Sequence, residues 1–311
     1  MRHQHVIGCA NNMSATFNTV AQAIDGLVRS EVLAINAYHV PSSAKMIKLD
    51  AMENPYNWPD NLRQAWLDKL ADLSLNRYPD PSAAELHQAL HQHLKLAPQT
   101  GLLFGNGSDE IIQLLIMAVN KPGAKVMSMA PTFVMYDMIA RFLGADYCSV
   151  PLDNNFQLDV DAFITRMQQQ QPALVFIAYP NNPTGNALSR QDVIRIIEAA
   201  PGLVVVDEAY HAFAEDSFVQ DTSAYSHLLV MRTFSKVGLA GLRLGYLVGP
   251  TAWIEQINKL RLPYNINTMT QASALVALAH WPILAEQALQ IRHDRAELAK
   301  QLAELPGLFV Y

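Results

Sequence analysis

Short apolar runs rich in Val, Ile and Leu alternate with helical patterns from about residue 100 onward. Such runs are typical of strands buried on both faces, and helices between them favour a mostly parallel sheet with right-handed crossovers. The predicted strands are 125–129, 173–178, 203–206, 228–232 and 244–248. The pattern therefore predicts an α/β fold in which helices flank a mostly parallel central sheet.

Apolar residues at helical spacing predict the helices that flank this sheet. The predicted helices are 109–120, 134–143, 189–199, 268–279 and a long amphipathic helix at 282–305. Ser189 is suited to cap the third helix, and Asp192 favours its positive end. Residues 14–48 are expected to hold one or two short helices and a linker at 41–43.

Composition narrows the class of partner. The chain has 311 residues, is 50% hydrophobic and 16% charged, and carries a formal net charge of −6. An acidic balance supplies no field that attracts nucleic acid. Apolar stretches are interrupted within about ten residues, so no membrane span is expected. A small-molecule partner is the better expectation.

The cysteines and histidines predict neither a disulfide nor a metal site. Cys9 and Cys148 lie far apart and match no metal or redox spacing, which favours a cytoplasmic location. The start lacks the apolar region of a signal peptide, and Met13 is an alternative start. His87 and His91 have the spacing of a zinc-binding helix but lack its glutamate.

Polar residues follow three of the predicted strands directly. They are the segments 179–185 (YPNNPTG), 207–210 (DEAY) and 233–236 (TFSK). Ligands of open α/β sheets bind beyond the carboxyl ends of the strands. These three segments are therefore expected to meet at one edge of the sheet and to form the site.

The segment 105–110 (GNGSDE) leads directly into a predicted helix. Glycines allow close backbone approach, and the free amides of a helix start favour a phosphate group. The segment fails as a dinucleotide fingerprint because Glu110 stands where the third glycine is needed. Alone, such a turn is more often structural.

Lys236 and Asp207 are the candidates for chemistry. Lys236 lies in an apolar, glycine-rich stretch, where a lysine loses its proton more readily and becomes a nucleophile for a carbonyl. Arg243 would lower the lysine pKa further and grip a phosphate. Asp207 closes an apolar strand, so a cation is expected to face it. A surface lysine and a turn aspartate remain the structural alternatives.

Together, the segments 181–185, 207–210, 235–236 and 241–246 (GLRLGY) resemble the fold-type I, aspartate aminotransferase-like enzymes that use pyridoxal 5′-phosphate. Within them, the chain is similar to the histidinol-phosphate aminotransferases. This narrower resemblance rests on the segments 48–56 (KLDAMENPY), 76–79 (NRYP), 105–110, 232–236 (RTFSK) and 263–265 (PYN). It covers roughly residues 45–311.

The resemblance implies roles around the cofactor ring. Lys236 would carry pyridoxal phosphate as a Schiff base and move the proton between the substrate Cα and the cofactor C4′. Asp207 would pair with the pyridine nitrogen, which keeps the ring able to accept electrons. Asn182 and Tyr210 would hydrogen-bond the ring hydroxyl, and Phe133 occupies the place of the aromatic that stacks on the ring.

The resemblance also implies the contacts with phosphate, partner subunit and substrate. The phosphate would be held by Ser108, Asp109, Ser235 and Arg243. Tyr78 matches a tyrosine that reaches the cofactor of the partner subunit, which implies a homodimer. Tyr56 matches a residue of the substrate pocket, and Met52 stands where many members have Asn.

Three parts are expected along the chain: a tail and arm at 1–45, a large cofactor-binding domain at 46–275, and a small α+β domain at 276–311. The small domain is expected to be shortened, since relatives continue further and supply there an arginine for the substrate carboxylate. By resemblance, the reaction converts L-histidinol phosphate and 2-oxoglutarate into imidazole acetol phosphate and L-glutamate. The alternatives are a cofactor-binding protein with little turnover and an aminotransferase of aromatic amino acids.

Overall fold

The computed structural model describes Phe17, residues 19–40 and residues 42–311. Contacts divide the chain into two units, with the division between Ser42 and Ser43. The first unit contains two short helices, α1 (Val20–Leu27) and α2 (Ser30–Leu33). Cys9 and Met13, which the sequence singled out, lie outside the described residues.

The second unit is built on a seven-stranded sheet, which confirms the predicted fold class. Its strands are β1 (Thr100–Asn106), β2 (Lys125–Ala130), β3 (Asp146–Pro151), β4 (Leu174–Ala178), β5 (Leu203–Asp207), β6 (Leu228–Thr233) and β7 (Leu244–Pro250). The spatial order is β1-β7-β6-β5-β4-β2-β3. Strand β7 alone runs opposite to the other six strands, since it pairs antiparallel with both β1 and β6. The sequence predicted five of these strands and missed β1 and β3.

Nine helices of this unit are α3 (Asp60–Ala71), α4 (Ala84–His93), α5 (Ser108–Val119), α6 (Met135–Phe142), α7 (Val160–Gln170), α8 (Arg190–Ala199), α9 (Thr251–Asn258), α10 (Thr268–Ala279) and α11 (Trp281–Ala303). Helices α5, α6, α8, α10 and α11 match the predicted ones closely. The side chain of Ser189 accepts the backbone N–H of Asp192, which confirms the predicted cap of α8. Helices α7 and α9 were not foreseen individually.

The helices cover both faces of the sheet. Residues 204 and 206 of β5 pack into a cluster with α4, α7, α8 and α10. Residues 203 and 205 pack into a second cluster with α5, α6 and α9. Because successive side chains of a strand point to opposite faces, this double cover explains why the central strands are apolar at every position.

No helix in the described part of the chain is long and apolar enough to cross a lipid bilayer. The contacts place residues 276–311 in the same unit as the sheet. The boundary near 275 between a large and a small domain therefore stays a prediction.

A buried ion pair lies beside the end of β5. Glu208 is fully buried, and its carboxylate accepts Arg232 Nε at 2.8 Å and Arg232 Nη2 at 2.7 Å. The same carboxylate also accepts the Ser217 hydroxyl and the backbone N–H of Phe218. These donors use the carboxylate fully, so the pair fixes the chain after β5 against β6.

We predict that Glu208→Gln lowers the free energy of unfolding by about 3–5 kcal/mol, because it leaves the Arg232 charge buried without its partner. Urea unfolding of the purified variant measures the loss. Glu215→Gln is the matched control, since Glu215 pairs with Arg292 at 3.3 Å but its side chain is 90% exposed. Equal effects of the two substitutions would contradict a structural role for the buried pair.

Candidate active site

Strands β4, β5 and β6 are parallel, and their carboxyl ends open into one cavity of about 370 Å³. Strand β1 ends at the same edge, because β1 and β6 both run antiparallel to β7. The predicted site residues that line this cavity are Ser108, Asp109, Phe133, Asn182, Asp207, Tyr210, Ser235, Lys236 and Arg243. The structure thus brings together residues that are up to 135 positions apart, from Ser108 to Arg243.

Lys236 lies in a short 3-10 turn, Ser235–Val237, that follows β6. Its Nζ donates to the backbone oxygen of Ala51 at 2.6 Å and lies 5.4 Å from the ring centre of Tyr210. Burial lowers the pKa of Lys236 below its ordinary value, and Arg243 adds to this effect. A lowered pKa makes the free amine more available as a nucleophile.

Gly238 allows the segment around Ala51 to approach this turn. Its φ of +103° is one that side chains rarely adopt, and an added Cβ would lie 2.9 Å from Nδ2 of Asn54. Asn54 Nδ2 in turn donates to Gln287 Oε1 of α11 at 3.0 Å. The lysine turn is therefore packed directly under the segment 51–54.

Asp207 is the last residue of β5 and is 4% exposed. One carboxylate oxygen accepts the Tyr136 hydroxyl at 2.6 Å, and the other accepts the backbone N–H of Ala209 at 3.0 Å. Burial raises the pKa of Asp207 to about 6, although both hydrogen bonds act in the opposite direction. A carboxylate in this position would be stabilised by a cation in the cavity.

The walls beside Asp207 are aromatic and amide groups. Nδ2 of Asn182 donates to the hydroxyl of Tyr210 at 3.2 Å, which places two hydrogen-bonding groups side by side. Burial raises the pKa of Tyr210 to about 12, so its hydroxyl stays protonated at neutral pH. Phe133 packs edge-on against Tyr136 with 5.6 Å between ring centres. These groups suit a flat, polar ring.

The start of α5 forms the anion-binding end of the cavity. Gly107 precedes α5 with a φ of +81°, and an added Cβ would lie 2.5 Å from Nη2 of Arg243. A Cβ on Gly245 would lie 2.8 Å from the backbone nitrogen of Ser108. Glycine at both positions lets the free amides of α5 and the Arg243 guanidinium converge, as a phosphate requires. Arg243 also pairs with Asp109 at 3.2 Å, at a half-exposed position.

Two predicted site residues lie outside the lining of this cavity. The hydroxyl of Tyr56 donates to Asp294 of α11 at 3.1 Å. Tyr78 is 81% exposed and stacks on Tyr264 with 4.5 Å between ring centres. Their predicted roles in a substrate pocket and in a partner's site therefore remain predictions.

The structure adds two polar residues that sequence reasoning missed, Tyr136 and Glu53. Tyr136 lies on a predicted helix and belongs to the core, so the sequence pattern indicates only that it is on the apolar face of that helix. Glu53 lies in a segment that carried the resemblance, and its carboxylate accepts Lys48 Nζ at 2.7 Å. The sequence did offer a signal for Glu53, since it is a charged residue within the segment 48–56.

A family model for class I and II aminotransferases matches residues 44–311. This match spans the sheet, the cavity and every residue that lines it. The chain belongs to this aminotransferase family. The family supplies independent support for the chemistry that the cavity suggests.

Among known proteins, the chain is 52% identical to histidinol-phosphate aminotransferase 2 of Nitrosococcus oceani, over 91% of this chain and 79% of the relative. It is 48% identical to histidinol-phosphate aminotransferase of Chromobacterium violaceum, over 93% of this chain and 81% of the relative. A solved structure of histidinol-phosphate aminotransferase from Sinorhizobium meliloti, in complex with pyridoxal-5′-phosphate, is similar with a TM-score of 0.74. It is 26% identical and covers 82% of this chain and 70% of the other.

We predict that Asp207→Asn stabilises the protein without added ligand at pH 7.5. The pKa of Asp207 is raised from 3.8 to about 6 in the fold, so its contribution to stability is fully present below pH 3.8 and is lost as the pH rises through about 6. Above that pH the variant should be more stable by on the order of 2–3 kcal/mol. Urea unfolding between pH 4 and pH 8 measures the difference, which should shrink toward pH 4.

Asp68→Asn is the control for this series, because Asp68 is exposed on α3 and bonds only locally to Gln64. Because its side chain is exposed, Asp68→Asn should change the free energy of unfolding little. An Asp207→Asn variant that is less stable than the parent at pH 7.5 would show that the ionised carboxylate is fully compensated by the protein.

Proposed function

We propose that the chain is a pyridoxal-phosphate-dependent transaminase that acts on L-histidinol phosphate and 2-oxoglutarate in histidine biosynthesis. The observation that carries this proposal is that Lys236, Asp207 and the start of α5 all face one cavity. The substrate assignment is supported by relatives named histidinol-phosphate aminotransferase, which share about half of their residues with this chain.

The cavity fits four chemical features of pyridoxal phosphate. Its phosphate matches the free amides at the start of α5 beside Arg243. Gly107 and Gly245 have no side chain that would block this close approach. Its ring nitrogen, when protonated, would pair with the buried carboxylate of Asp207, whose pKa is raised by burial. Its aldehyde matches the amine of Lys236, and its ring hydroxyl matches Asn182 and Tyr210.

When bound, pyridoxal phosphate supplies an electron sink for the negative charge that develops on the substrate carbon. Asp207 keeps a proton on the ring nitrogen by remaining ionised. Nζ of Lys236 takes the proton from the carbon that bears the substrate's amino group, and later returns a proton.

We further propose a cytoplasmic homodimer in which Tyr78 of each subunit reaches the site of its partner. Tyr78 and Leu75 are 81% and 71% exposed, and Tyr78 stacks on Tyr264, two residues after Leu262, which is 72% exposed. A partner subunit would cover them. The free thiol of Cys148 and the net charge of −6 agree with a reducing compartment and with a small-molecule partner.

We predict that Lys236→Ala abolishes transamination, because the amine that moves the proton is lost. Cofactor should still bind through the α5 start, Arg243 and Asp207, with weaker affinity. Borohydride treatment of the parent with pyridoxal phosphate should fix a covalent label on Lys236, read by peptide mass spectrometry. Lys259→Ala, which removes an exposed lysine of the same unit, is the control and should retain both label and turnover.

The transamination assay also identifies the preferred amino donor. Turnover of L-histidinol phosphate should exceed that of phenylalanine and of aspartate with 2-oxoglutarate as acceptor. Faster turnover of phenylalanine would replace the proposed substrate by an aromatic amino acid. Label on another residue, or transamination by Lys236→Ala, would refute the assignment of Lys236.

We predict that mixed dimers of Lys236→Ala and Tyr78→Ala recover activity that neither variant has alone. If Tyr78 acts in its partner's site, one site of each mixed dimer has both native residues. Co-expressed subunits with two different tags isolate the mixed species, and its activity per dimer should approach half of the parent value. Activity no higher than that of the pure variants would place Tyr78 in its own subunit's site or outside any site.

A further inference from the structure

The hydroxyl of Tyr136 is the closest polar contact of the Asp207 carboxylate, at 2.6 Å. Tyr136 lies on α6 and is fully buried. Its ring stacks on Phe176 of β4 with 4.4 Å between ring centres and planes 3° apart, and Phe133 packs edge-on against it with 5.6 Å between ring centres. These two contacts hold the hydroxyl in place relative to the end of β5.

We propose that Tyr136 is a positioning residue that keeps Asp207 ionised and fixed for the cofactor's ring nitrogen. The inference rests on the proposed function, since it concerns pyridoxal phosphate. Tyr136 is not assumed to touch the substrate or to exchange protons with it. Its action runs through Asp207.

The phenol donates in this contact while Asp207 is ionised. Burial raises the pKa of Tyr136 well above its ordinary value, and the adjacent charge of Asp207 raises it further. A hydroxyl that stays protonated donates its hydrogen to the carboxylate, and a hydrogen bond to the charged form favours ionisation. The bond therefore lowers the pKa of Asp207 against the effect of burial.

The negative charges around Asp207 disfavour its ionisation, and the Tyr136 hydroxyl acts against them. Asp109 and Glu208 both raise the pKa of Asp207 through their negative charge, and Tyr210 stands close enough for its own pKa to respond to Asp207. Arg232 neutralises Glu208, and Arg243 pairs with Asp109. The hydrogen-bond donors that reach the Asp207 carboxylate in the described part of the chain are the neutral Tyr136 hydroxyl and Ala209 amide. Lys236 and Arg243 line the same cavity.

The test compares Tyr136→Phe with Tyr147→Phe. Phenylalanine at 136 keeps the stack on Phe176 and removes only the hydroxyl. Tyr147 is the control, because it is partly buried and its hydroxyl pairs with Ser128 at 2.6 Å rather than with Asp207. The dissociation constant of pyridoxal phosphate is measured by equilibrium dialysis between pH 5 and pH 8 for both variants and the parent.

We expect the pH at which affinity is lost to move upward by roughly one unit in Tyr136→Phe, since Asp207 then takes up its proton at a higher pH. At pH 5, below both pKa values, this corresponds to a roughly tenfold weaker affinity, and near pH 6 to a roughly fivefold one. Tyr147→Phe should follow the parent profile. Adding Tyr136→Phe to Asp207→Asn should produce no further shift.

A second ligand and a second measurement separate the possible failures. With an analogue in which C–H replaces the ring nitrogen, the profiles of parent and Tyr136→Phe should coincide. In protein without cofactor, a carbon-13 titration of the Asp207 carboxyl should show a higher pKa in Tyr136→Phe. Equal carboxyl titrations in parent and variant, or a shift that persists with the analogue, would overturn the role of Tyr136. A parent that binds no cofactor but shows the carboxyl shift would refute the proposed function and leave the effect of Tyr136 on Asp207 in place.

Discussion

An ionisable carboxylate at the end of a wholly apolar strand is the constraint on which this site depends. Every residue of β5 is buried, and burial raises the pKa of Asp207 to about 6. Such a group is costly unless donors and a cation offset the lost hydration. Helices on both faces of the sheet supply the burial, α6 supplies one donor, and the cavity beside Asp207 leaves room for a cation.

The neighbouring carboxylate shows the contrasting solution. Asp207 and Glu208 follow one another, and their partners lie on opposite sides of the sheet: Tyr136 belongs to the cluster with α5, α6 and α9, whereas Phe218 belongs to the other. Glu208 is neutralised by Arg232 and fixes the backbone. Asp207 is held by neutral donors and keeps its charge available. The alternation of a strand thus separates a structural carboxylate from a functional one.

Much of this arrangement follows from local sequence. The runs that became β2 and β4 to β7 are apolar throughout because both faces are covered, and the polar segments that follow β4, β5 and β6 had to meet at one edge. Strand β3 escaped prediction because it lies at the sheet edge and alternates only weakly in burial. Strand β1 was overlooked because glycine and threonine interrupt its apolar residues, and its antiparallel pairing with β7 depends on the whole chain.

Tyr136 marks the limit of such reasoning for the site. Its position on α6 shows an aromatic residue on the buried face of a helix, which in most helices signifies packing alone. What distinguishes it is a carboxylate 71 residues further along the chain, at a distance of 2.6 Å. Neither segment encodes that contact; it arises because β5 lies beside β4 and α6 covers that face of the sheet. Residues that act on the cofactor through another side chain are therefore found in packing geometry rather than in motifs, and Tyr136 is at the same time part of the buried core.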